Sequence, residues 1–248
     1  MVGHQLSLSD DAIKRVVGFL GYGRASAPVW FIGLEEGLGD AKDDEAIINL
    51  KARTLFKPIM DLAVAHRALQ EGGGPIDIET KDTFTQVWVW IAKIVRARAG
   101  NVDWQDPEAA KTYIRQHLGR RNGETFLTEV SPIPRRNQRD KWWMEWFQKK
   151  LPDLDQMLKK RRESLYNLFR QHNPSLVVCY GSGDTARRSF QEMLSLTSWE
   201  TFAELEGKRR TLIEASPNRR VLLLPFFGNG HMKRSVIETL ICREAFTR

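Results

Sequence analysis

The side chains able to do chemistry gather at the ends of four short apolar runs. PVWFIG, residues 28–33, leads into Leu34-Glu35-Glu36-Gly37. TFLTEV, residues 125–130, leads into Ser131-Pro132-Ile133-Pro134-Arg135-Arg136. PSLVVCYG, residues 174–181, leads into Ser182-Gly183-Asp184, and VLLLPFFG, residues 221–228, into Asn229-Gly230-His231. A carboxylate in a dry loop can orient water and stabilise a developing cation. A neutral imidazole can donate a hydrogen bond to an anion. An Asn can read a base edge with its paired donor and acceptor. Gly33 and Gly37 bracket the two carboxylates and allow close backbone approach. Glu35 and Glu36 would raise each other's pKa if both faced inward. Successive extended residues point apart, so one of them, Glu35, is expected to face the site, with Glu36 as second candidate.

These loops need elements to hold them. Runs one, three and four lack polar alternation, as expected of strands buried on both faces of a parallel sheet. Helical patterns cover 10–20, 54–70, 83–98, 107–118, 141–150, 155–172, 183–195 and 232–245. Ser9 or Asp10 caps the first, and Pro107 opens the fourth. Strands alternating with helices predict an α/β fold, a three-layer sandwich whose central four-stranded parallel sheet is flanked by helices. Its four carboxyl-end loops then meet at one rim, where such sheets bind ligands. No linker is visible, so residues 1–248 are read as a single domain. Gly21-Tyr22-Gly23 precedes the first strand and is not placed for a dinucleotide fingerprint.

Composition narrows the classes. The 248 residues carry 38 Lys/Arg against 31 Asp/Glu, a net charge of +7. With 42% hydrophobic residues the chain has enough to build a core. No apolar run approaches the roughly 20 residues that cross a bilayer, and the start has no apolar signal core. A soluble cytoplasmic protein without membrane contact is expected. Two cysteines exclude a disulfide scaffold, a Cys-based zinc site and an iron–sulfur cluster. Between Arg135 and Arg170 stand 11 Lys/Arg and 5 Asp/Glu, so this stretch holds +6 of the net charge. A basic stretch beside a nearly neutral body predicts a polyanion partner, against the plainer reading of a solvated helical face. The aromatic cluster Trp142-Trp143-Met144-Glu145-Trp146-Phe147 joins Trp142 to Trp146 and Trp143 to Phe147 at helical spacing, and reads mainly as core.

In order and spacing, the four runs resemble the uracil-DNA glycosylase superfamily. VWFIGLEEG is similar to that family's first motif, a strand entering a G-x-[N/D]-P-G or G-E-A-P-G loop. The S-P-I-P-R exit of run two resembles the family's proline-rich exit, and PSLVVCYGSG its third strand. VLLLPFFGNGHM sits where the family carries its second motif. The resemblance spans residues 10–245. Glu35 stands where the family has Asn or Asp, Glu36 where it has proline, and Gly228-Asn229-Gly230-His231-Met232 replaces H-P-S-P. The resemblance thus implies glycosylase chemistry on a flipped non-canonical or modified pyrimidine base in DNA, with the departures at both motifs pointing away from plain uracil. Some relatives act on modified bases in phage DNA during bacterial defence, and a divergent pocket would suit that role.

Cleaving the bond from C1′ to the base makes the sugar positive and the base negative. Glu35 is expected beneath the sugar and His231 at the leaving base. Asn229, Ser131, Gly33 and Gly37 would line the pocket. Phe56 would stack on the flipped base, because the family has an aromatic downstream of its first motif. Phosphates would be held by Arg135, Arg136, Lys141, Ser182 and Lys233. No cofactor or metal is expected, and no lysine is evidently poised as a lyase nucleophile. A monofunctional, monomeric enzyme on DNA follows. Two other readings are a catalytically silent nucleic-acid-binding module on the same scaffold and a metal-dependent phosphohydrolase using Glu35 and Glu36. Few further carboxylates stand at the strand ends to serve the latter.

Overall fold

The computed structural model describes residues 8–38, 43–71, 77–135, 141–206 and 210–246. The chain runs α1 (Asp10–Val17), β1 (Gly21–Gly23), β2 (Val29–Gly37), α2 (Asp43–Arg53), β3 (Ile59–Met60), α3 (Leu62–Glu71), α4 (Gln86–Arg98), α5 (Pro107–Gln116) and β4 (Thr125–Arg135). It continues α6 (Lys141–Lys150), α7 (Leu154–His172), β5 (Leu176–Tyr180), α8 (Gly183–Leu194), β6 (Glu200–Leu205), β7 (Thr211–Ala215), β8 (Val221–Leu224) and α9 (Arg234–Cys242).

The strands form one sheet in the order β3-β1-β4-β2-β5-β8-β7-β6. The four expected strands are its middle, β4-β2-β5-β8, and are mutually parallel. The expectation of four parallel strands is corrected to a mixed sheet of eight strands among the described residues. β1 runs antiparallel to β4, and β7 and β6 add an antiparallel hairpin beyond β8. β1 and β3 are three and two residues long, too short to leave a period in the sequence.

Side chains alternate along the central strands and feed two cores. Phe31, Leu127, Val178 and Leu222 pack with residues of α3, α4, α5 and α9. Trp30, Phe126, Val177, Cys179 and Leu223 pack with α7 and α8 on the other face. Burial on both faces explains why these runs lack polar alternation. A third cluster brings Ile13 and Val16 of α1, Leu50 of α2, Phe147 of α6 and Leu154 of α7 around Ile133 of β4. Within the aromatic cluster, Phe147 is buried and Trp146 meets it edge-to-face at 5.1 Å. The side chains of Trp142 and Trp143 lie outside the described ones.

Two local expectations change. The helix expected over 54–70 is reduced to α3, Leu62–Glu71, because Pro58 disfavours helical backbone at Lys57 and the short β3 follows, and α2, Asp43–Arg53, precedes it as a helix the pattern did not show. Pro58 instead offers its carbonyl to the amides of Leu20 and Gly21. The strand expected to close at Ser131-Pro132 runs on to Arg135. Its prolines take alternate positions, 132 and 134, where β2 is the remaining sheet neighbour because the pairing with β1 ends at Leu127. On such an edge the missing proline N–H breaks no ladder bond. The chain leaves β2 for β4 on one side and returns past β2 to β5 on the other. That reversal opens a crevice at the carboxyl ends of β4, β2 and β5.

Candidate active site

Three glutamates converge in this crevice. Glu129, in β4, is half-buried, and its Oε1 accepts a hydrogen bond from the Tyr180 hydroxyl of β5 at 3.0 Å. Its Oε2 is enclosed and has no partner. Gly33 of β2 makes the room, for a Cβ there would lie 1.9 Å from Oε2 of Glu129 and 2.7 Å from the Tyr180 hydroxyl. Tyr180 in turn stacks on Phe227, ring centroids 4.6 Å apart. Burial raises the Glu129 carboxyl to about 8, with the negative charge of Glu36 adding to the effect. Glu129 is therefore mostly protonated at neutral pH. Since Oε1 accepts from Tyr180, the proton belongs on Oε2, which becomes a buried donor.

Glu36 is in the opposite state. Its Oε1 lies 2.6 Å from Nη2 of Arg53, and its Oε2 accepts from the Tyr22 hydroxyl at 3.1 Å. Burial alone would raise this carboxyl, but the charge and hydrogen bond of Arg53 outweigh it and hold Glu36 below the usual carboxylate range. Glu35 pairs with Arg135, Nε to Oε2 at 3.3 Å. There burial wins over Arg135 and raises the carboxyl.

Glu36 and Glu129 line a narrow cavity of about 40 Å³, with Tyr22, Arg53, Trp88 and Arg161 in its walls. That is room for about three waters. Ser131 lines it too, as expected, while Phe56 does not. Phe56 is buried against Phe19 and Tyr22 and supports the wall from behind, a correction to its expected place on the base. Glu35, the carboxylate expected to lead, does not line the cavity either; Glu36 does. Counting in twos from Phe31 places Glu35 on the Glu129 face. The register between β2 and β4 breaks between Glu35 and Gly37, where two residues of β2 span four of β4. Such an irregularity re-aims side chains. Gly37 itself is exposed.

The remaining expected residues gather elsewhere. Ser182, Asn229, His231 and Lys233 line a cleft of about 600 Å³ at the ends of β5 and β8. Neither Glu35 nor Glu36 lines it, so the expected face-to-face placement of Glu35 and His231 across one cleft is corrected. His231 is exposed. Asn229 has φ 54°, a left-handed turn position. Ser182 is the residue before α8 and makes no side-chain capping bond. Arg136 lies outside the described residues. Lys141 begins α6, and its side chain is not among those described.

Several residues in and behind the cavity wall carry no sequence signal of their own. Arg161, counted in the basic stretch, is buried and donates to the carbonyls of Phe19, Glu129 and Val130. Burial lowers its pKa to about 9, only partly offset by Glu129. His66 of α3, read as an ordinary helical residue, is buried beside Trp88 with rings 5.1 Å apart. Burial lowers its pKa to about 4, so it is neutral at pH 7. Glu129 is missed as a site residue too, and the one signal that could have found it is a lone acid inside a strand. Among the described residues no group of His, Cys, Asp and Glu has the arrangement of a metal site. No described helix is long and apolar enough to cross a membrane. Comparison with protein-family models, curated proteins and solved structures gave no match.

Proposed function

We propose that the chain is a DNA glycosylase that hydrolyses the N-glycosidic bond of a modified base and leaves an abasic site. One observation carries the reading: an ionised carboxylate, Glu36, and a protonated one, Glu129, share a cavity at the carboxyl end of the sheet. Two titratable groups driven apart in pKa are the mark of acid–base work. Glu36 orients water toward C1′ and faces the positive charge that grows on the sugar. The water oxygen bonds to C1′, its proton passes to Glu36, and the bond to the base nitrogen breaks. The base leaves with the electron pair and takes a hydrogen bond from Oε2–H of Glu129. Arg161, fixed by three carbonyls beside Glu129, favours that departing anion. The cavity has room for about three waters as it stands, so base binding requires it to widen. The DNA half of the reading rests on the net charge of +7 and on the resemblance of the four strand exits.

The test is incubation with duplex and single-stranded DNAs carrying different modified bases, followed by alkali to cut at abasic sites. Strand cuts that vanish with Glu36→Gln support the reading. DNA binding with no abasic product on any substrate would favour the silent binding module instead.

A further inference from the structure

We propose that Arg53 and Tyr22 are positioning residues that clamp the two oxygens of Glu36 and aim its carboxylate at the cavity water. The use of the clamp rests on the hydrolytic reading above; the clamp itself stands on geometry. Arg53 ends α2 and is buried, with Nη2 2.6 Å from Oε1 of Glu36. Tyr22 comes from β1 and donates to Oε2 at 3.1 Å. Two separate elements thus hold the two oxygens, and the carboxylate cannot turn without losing a contact. Arg53 is held in its turn. Its Nε donates to Oδ1 of Asn49 at 2.6 Å, and its guanidinium lies over the Phe56 ring at 5.6 Å. Phe56 packs on Tyr22 with ring centroids 6.4 Å apart, which closes the unit.

A carboxylate offers about four lone-pair sites. The clamp occupies two and leaves the others for water in the cavity that Glu36 lines. The other titratable groups near Glu36 are Glu35 beside it, His66 of α3, Glu129 of β4 and Tyr180 of β5. At neutral pH His66, Glu129 and Tyr180 are uncharged, and Glu35 carries its own partner, Arg135. Arg53 is the cation in contact with Glu36.

The experiment titrates the full chain, labelled with carbon-13 at its glutamate carboxyls, by NMR. The Glu36 signal is assigned by its loss in Glu36→Gln. Base release is measured in parallel across pH on the modified DNAs described above. Tyr22→Phe removes one hydroxyl and little volume, and Arg53→Lys keeps the charge but loses the fork. The Glu36 signal is expected to titrate at higher pH in both variants than in the wild type. Base release near neutral pH is expected to fall about tenfold or more in Tyr22→Phe, with the acid limb of the profile moving up alongside. If Arg53→Lys does not fold, Tyr22→Phe decides. An unmoved Glu36 signal overturns the clamp. A moved signal with an unchanged pH profile of base release overturns the positioning role. No release by the wild type from any DNA overturns the hydrolytic reading, and the titration still decides the clamp.

Discussion

Glu129 makes the sharpest predictions at the scale of single residues. Its carboxyl sits at about 8 in the folded chain against an ordinary 4.5. The folded state therefore binds more protons than the unfolded state between those values. Stability from this group is complete below about pH 4.5 and is lost as pH rises through 8. Thermal melts from pH 5 to 9 should show the loss, and Glu129→Gln should flatten it. The same ionisation should give base release an alkaline limb near pH 8. Glu129→Gln retains a donor and should lose that limb, while Glu129→Ala should slow release by about 10²–10³. Gly33 is the second test. A methyl there collides with Glu129 and Tyr180, so Gly33→Ala should cost about 1–3 kcal/mol in denaturant unfolding and displace the acid. Glu35→Gln should impair release less than Glu36→Gln, because Glu35 does not line the cavity.

The continuation of β4 past its first proline matters most at the scale of elements. Residues 131–135 bring Ser131 and Pro132 to the cavity and Arg135 to Glu35. Ile133, fully buried, anchors this segment among α1, α2, α6 and α7. Ile133→Ala should cost about 2–5 kcal/mol, read from urea midpoints. It should also weaken base release beyond any change in the folded fraction, since α2 carries Arg53 in the same packing unit. The helices were largely legible from periodicity and caps. Ser9 caps α1 and Thr85 caps α4 through their side-chain oxygens. The end of β4 was less so. Proline reads as a stop in any local rule, and whether it lies on a sheet edge is a property of its neighbours.

At the scale of the molecule the basic stretch has divided. Arg161 is turned inward, and Arg135 is paired with Glu35. Lys149 and Lys150 of α6 and Lys159 and Lys160 of α7 remain exposed. These lysines are the better candidates for phosphate contact. Reversing Lys159 and Lys160 to Glu should weaken DNA binding and reduce the salt slope by about one per lost contact. A titration of binding against salt checks this. Arg161→Met should instead act on folding and the cavity and leave the slope unchanged.

Some of this molecule is written in its residues directly. Unbroken apolar runs of five or six residues bounded by turn residues suit strands covered on both faces, so three of the four central strands are local information. Their exits, rich in Gly, Ser, Glu and Asn, mark the rim for the same reason. The partners of the acids are not local. Tyr22, Arg53, Glu129 and Tyr180 are far apart in the chain, and strand order and a register break bring them to Glu36. The protonation states follow from that meeting. Burial with an arginine in contact ionises Glu36, and burial beside other acids protonates Glu129. A pKa is set by distances through space, and a linear order of residues holds none of them.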